Sequence, residues 1–111
     1  MDKGQFLAGK TSGVERDVNI GRGTVRVRAL SRPEAIAVAE LAGDLAAQEQ
    51  LTMRLGMVNP VLDEAELKAY YDQPGNVDEV QAIVQAVQEL SLSTKEAAKS
   101  GVPGVRSKRG T

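Results

Sequence analysis

Two alternating runs joined by a glycine-bearing turn constrain this chain more than any other feature. Val14, Val18 and Ile20 alternate with Glu15, Asp17 and Asn19; beyond Gly21-Arg22-Gly23, Val25, Val27 and Ala29 alternate with Thr24, Arg26 and Arg28. Period-two alternation on both sides of such a turn predicts a β-hairpin over residues 14–30. The pattern also selects a register. A three-residue loop without a bulge sets Val18 across from Arg26 and mixes the two faces. A two-residue loop at Gly21-Arg22 sets Val18 against Val25, Asp17 against Arg26 and Glu15 against Arg28. One face is then apolar and the other carries opposite-charge pairs. A lone hairpin is marginal in water, so its apolar face needs helices or a partner.

The helices announce themselves by their starts. Ser31 and Glu34 form a capping-box pattern with Pro33 between them, where its missing N–H costs nothing. The Ala/Leu/Glu/Gln-rich run that follows predicts a helix over about 32–56, with Val38, Leu41, Ala42, Leu45, Leu51 and Leu55 on one broad face. Gly43 costs about 1 kcal/mol against Ala, so the helix can break there. Gly56 and Asn59-Pro60 stop it. Asp63 and Glu66 repeat the start signal for a helix over about 64–72, ahead of Pro74-Gly75. Asn76 starts another, over about 77–91, where Val80, Ile83, Val84, Val87 and Leu90 take one side and Gln81, Gln85, Gln88 and Glu89 the other. The fold expected is α+β, mostly α: an N-terminal β-hairpin followed by three to four helices in a single domain over 14–92. Residues 1–13 are expected to be flexible. Residues 93–111 are expected to form a short helical turn, capped by Ser93 with Glu96, and a flexible basic tail.

The core of such a domain must be aliphatic, because the 111 residues include only three aromatics, Phe6, Tyr70 and Tyr71. There is no Cys and no His, which excludes a disulfide framework and any thiolate or imidazole metal site. The first five residues lack a signal-peptide apolar run, and no stretch approaches the roughly 20 apolar residues of a membrane span. The expected location is therefore the cytoplasm, with no membrane partner.

Catalysis finds little to work with. Nucleophilic chemistry needs a base beside the nucleophile, and no Lys is placed to serve Ser12, Ser31, Ser91, Ser93, Ser100 or Ser107. Asp63, Glu64, Glu66, Asp78 and Glu79 fall in first helical turns, where the helix dipole favours negative charge by about 0.3–1 kcal/mol each. No catalytic, cofactor-binding or metal-binding residue is assigned, and a non-enzymatic role is expected. Charge is segregated: residues 1–32 carry a net +4, 33–62 a net −3, 63–89 a net −6 and 90–111 a net +4. Arg22, Arg26 and Arg28 could form a basic ribbon for nucleic acid, but no aromatics interleave for base stacking and Glu15 and Asp17 stand ready to neutralise two of them.

Four segments, in order, resemble a known family. They are the strand Gly23–Arg32, the Glu-bearing helix after it, the stretch Leu55-Gly56-Met57-Val58-Asn59-Pro60-Val61-Leu62-Asp63-Glu64-Ala65-Glu66, and a helix ending Gln88-Glu89-Leu90-Ser91 before an Ala/Lys segment. The third is similar to a "GLVDP, two residues, acidic helix" pattern, with Asn59 where Asp is commoner. Together they resemble the tail-assembly chaperones of long-tailed bacteriophages of Gram-positive hosts, over about residues 14–100. The resemblance implies a host-cytoplasmic protein of virion morphogenesis, absent from the mature virion. It would bind the tape-measure protein, with the tail-tube protein as a further partner, and a longer form made by frameshifting is common in that family. Edge and stripe reasoning nominates Val25, Val27, Val80, Ile83, Val84 and Val87 as protein-binding residues. Two alternatives stay open: a small DNA-binding regulator using the basic hairpin, and a structural head–tail connector.

Overall fold

A computed structural model describes residues 1–9 and 14–92; the turn expected at Ser93–Glu96 and the basic tail lie outside them. The chain order is α1 (Lys3–Ala8), β1 (Glu15–Asn19), β2 (Thr24–Arg28), α2 (Arg32–Ala39), α3 (Leu45–Gly56), β3 (Met57–Asn59), α4 (Glu64–Tyr71) and α5 (Val77–Leu92). This is an α+β, mostly α, fold.

The hairpin adopts the register that the alternation selects: Glu15 opposite Arg28, Asp17 opposite Arg26, Val18 opposite Val25. The Ile20 N–H donates to the Gly23 carbonyl at 3.0 Å, closing a two-residue loop. Gly21 has φ 92°, the positive value that this tight turn needs at its first central position. The Asn19 Oδ1 accepts from the Gly21 N–H at 2.7 Å and braces the turn.

Three expectations need correction. The segment 1–13 is not wholly irregular: α1 has a full capping box, with Asp2 accepting from Gln5 N–H and Gln5 returning the bond. The helix expected over 32–56 is two helices, broken at Glu40–Asp44 where Gly43 takes φ 98° and Asp44 caps α3 through the Ala47 N–H. Gly56 does stop the helix as expected, though not in a left-handed conformation. It is the last residue of α3, and a Cβ there would lie 2.6 and 2.9 Å from the two methyls of Val87. Finally, β3 adds a third antiparallel strand beside β2, giving the order β1-β2-β3. Three residues are too few to show an alternation.

The other starts form as expected. Ser31 with Glu34 and Asp63 with Glu66 make reciprocal capping boxes. Asn76 precedes α5, but its side-chain amide donates to the Tyr70 carbonyl at 2.6 Å and ties the end of α4 to the start of α5.

The core lies between the sheet and α5. Val18, Val25 and Val27 meet Val80, Ile83, Val84, Ala86, Val87 and Leu90, with Met53, Met57 and Leu67 closing the sides. Each Val, Leu, Ile or Met side chain among them contributes about 1.5–3 kcal/mol relative to exposure. The six residues nominated for partner binding all sit here: Val25, Val27, Val80, Ile83, Val84 and Val87 are at most 7% exposed. Two assumptions behind that choice fail. The third strand makes β2 the central strand rather than an edge, and the stripe on α5 faces the sheet. In this fold those side chains hold the domain together and offer a partner almost no surface.

Candidate functional site

With the apolar stripe of α5 used inward, its outer flank becomes the surface of interest. Gln81, Val84, Gln85 and Gln88 stand at i, i+3, i+4 and i+7. On α3, Leu45, Gln48, Glu49 and Thr52 repeat that spacing. These eight, with Val38 of α2, line a groove of about 420 Å³. Residues at this spacing share one helix face, so two matching stripes oppose each other along two turns, about 10 Å. Thr52 and Val84 are buried in it, Gln81, Gln85 and Gln88 are exposed, and Leu45 is 69% exposed. The groove's surface is about equally polar and apolar, with Val38, Leu45 and Val84 set among amide, carboxylate and hydroxyl side chains, a mixture that the spaced apolar anchors and flanking polar groups of an amphipathic helix can meet.

The walls are set by specific bonds. The Gln48 Nε2 donates to the Val38 carbonyl at 3.2 Å and pins α2 to α3. The Tyr71 hydroxyl donates to the Glu49 Oε1 at 2.6 Å, fixing α4 against α3. That bond, reinforced by burial, pushes the Tyr71 phenol up to about 12. The Gln85 Nε2 donates to the Glu89 Oε2 at 3.1 Å.

The hairpin arginines are occupied. Arg22 grips Glu79 with two bonds of 2.8 and 2.9 Å, and the Tyr70 hydroxyl adds a third to the same carboxylate at 2.8 Å. Those bonds, the Arg22 one first, hold Glu79 down at about 2, and the Arg22 guanidinium is raised in turn. Burial and then Glu79 push the Tyr70 phenol up to about 12. Arg26 bonds both Glu15 and Asp17, at 2.8 and 2.9 Å. Arg28 does not pair with Glu15 opposite it; it turns to Glu34 with bonds of 3.0 and 2.7 Å. Arg16 binds Glu89 at 2.7 Å. A phosphate backbone is read through available cations, and each arginine of the ribbon already has a carboxylate. The sequence showed the in-strand acids, but the ties to Glu79 and Glu89 arise only when α5 lies across the hairpin.

The serines and aspartates with resolved roles are structural. The Ser91 hydroxyl accepts from the Leu30 N–H at 2.8 Å and donates to the Val87 carbonyl at 2.7 Å, joining α5 to the end of the hairpin. Ser31, Asp44 and Asp63 cap helices. Among the described residues, no three acidic side chains are placed to hold a metal ion, and no helix is long and apolar enough to cross a membrane. No family model, curated protein or solved structure matches this chain.

Proposed function

We propose that this chain is a tail-assembly chaperone. It binds the long helical tape-measure protein in the host cytoplasm and promotes assembly of the tail tube around it without joining the finished particle. The observation that carries the reading is the groove between α3 and α5, whose two opposed stripes match the repeat of a helical client. The four-segment resemblance to such chaperones supports it independently. The paired arginines weigh against the DNA-binding alternative, and the head–tail connector has no specific observation in its favour.

Co-expression with a phage tape-measure protein is the test. More client should stay soluble with the chain than without it. Gln81→Lys with Gln85→Lys, both on exposed positions of the groove, should abolish that gain while the chaperone itself stays folded. Equal client solubility with and without the wild-type chain sinks the proposal. So does finding the chain as a stoichiometric component of purified virions.

A further inference from the structure

A second groove shares no lining residue with the first, and a second orphan feature complements it. Ile20, Val25, Met57, Leu62, Ala69 and Tyr70 line a cavity of about 490 Å³ between the hairpin turn, β3 and α4. Its surface is mainly apolar, and Glu66 stands at its margin beside Asp63 and Glu64. Ahead of β1 in the chain is α1, a fully capped helix with no buried residue, whose Phe6 and Leu7 are 69% and 72% exposed. A six-residue helix has no stability of its own in water, since isolated helices need about 12–15 residues even in good sequences. Capping it while leaving its two large apolar side chains in solvent makes sense for a segment that docks.

We infer that α1 docks through Phe6 and Leu7 into the hairpin groove of a second copy of this chain. Lys3 lies one turn before Phe6 and Leu7, on the same side of the helix, where it would meet the acidic margin at Glu66. The chain's own groove is poorly placed to receive α1. Val14 accepts a bond from the Ala29 N–H at the open end of the hairpin, six residues from Ile20, a distance of about 20 Å along β1. The five Cα–Cα steps from Gly9 to Val14 cover at most about 18 Å and the helix from Gly9 to Phe6 adds about 4.5 Å, so a seat in cis needs a nearly extended link doubled back along β1. A second copy carries the same groove without that constraint. The inference does not depend on the chaperone reading, and its test uses no client.

Sedimentation analysis of the purified chain should give a mass that rises with concentration above the 11.8 kDa monomer. Phe6→Asp with Leu7→Asp should return it to 11.8 kDa, with a thermal melt that matches wild type at concentrations where the wild type is itself monomeric, because α1 buries no residue in its own domain. Ala69→Arg, an exposed groove position, should do the same. The absence of Cys allows a direct check: a Phe6→Cys chain mixed with an Ala69→Cys chain should yield a disulfide-linked pair on mild oxidation. A wild-type chain that stays monomeric overturns the inference. So does self-association that survives Phe6→Asp with Leu7→Asp, or a double Cys variant that closes only within one chain.

Discussion

Helices α2 and α5 each carry a glutamate bound to a hairpin arginine, Glu34 to Arg28 and Glu79 to Arg22, but they differ in what lies beneath. Helix α5 buries six side chains against the sheet and neighbouring helices. Helix α2 buries none and leaves Ile36 44% exposed. One is held by packing with polar ties added; the other is held by its capping box, the Arg28 tie and the Gln48 bond to its last turn. Apolar packing has no charge to screen or titrate, whereas exposed polar ties are worth little singly and weaken as salt rises. The two helices should therefore respond to different insults.

The largest expected effect comes from the packed side. Ile83, 1% exposed, changed to Ala should cost roughly 2–5 kcal/mol in chemical denaturation, a large share of the 5–15 kcal/mol typical of a domain. An effect under about 1 kcal/mol would mean that α5 does not form the core. Next, Gly56→Ala should cost about 1–3 kcal/mol by overpacking against Val87. Combining it with Val87→Ala should recover part of that loss, a non-additivity that separates collision from backbone preference.

The third effect concerns the polar side. Arg28, the largest influence, and the Ser31 N–H hold the Glu34 carboxyl at about 2, below its ordinary 4.5. Its folded value is depressed, so its contribution is complete above about 4.5 and is lost as pH falls toward 2. An acid titration of stability should thus be shallower for Glu34→Gln than for wild type in that window, and identical slopes would remove the tie from the account of α2. Ser31→Ala should cost about 1 kcal/mol at neutral pH by removing the other half of the cap. The smallest effect is expected at Ile36→Ser, about 0.5 kcal/mol or less. A larger loss would show that α2 buries that face.

The same contrast explains what was legible in the sequence. The hairpin register could be read from charge and apolarity, because a one-residue slip would have inverted both faces. The starts of α2 and α4 could be read because a capping box is local chemistry within four residues. The inward face of α5 was visible as a stripe, but its use was not. An apolar stripe looks the same whether it meets a sheet or a client, and the third strand that makes β2 central is too short to show a period. The break between α2 and α3 was marked only by Gly43 and the Asp44 cap. The candidate groove was least legible. Its residues at Gln81, Gln85 and Gln88 read as a solvated flank until α3 was laid beside them with its own matching row. Residues 1–9 misled in the other direction, because glycine-rich composition hid the Asp2–Gln5 box.

The two phenols have a practical consequence. The chain has no Trp, and its two Tyr residues are each bonded to a carboxylate. Tyr70 lies on the groove beside the hairpin turn and Tyr71 on the bond that sets one wall of the two-helix groove. Its tyrosine emission therefore comes from two emitters, one assigned to each candidate surface. Replacing either by Phe leaves a single-channel optical probe, so occupancy of the two faces can be followed separately in unlabelled protein.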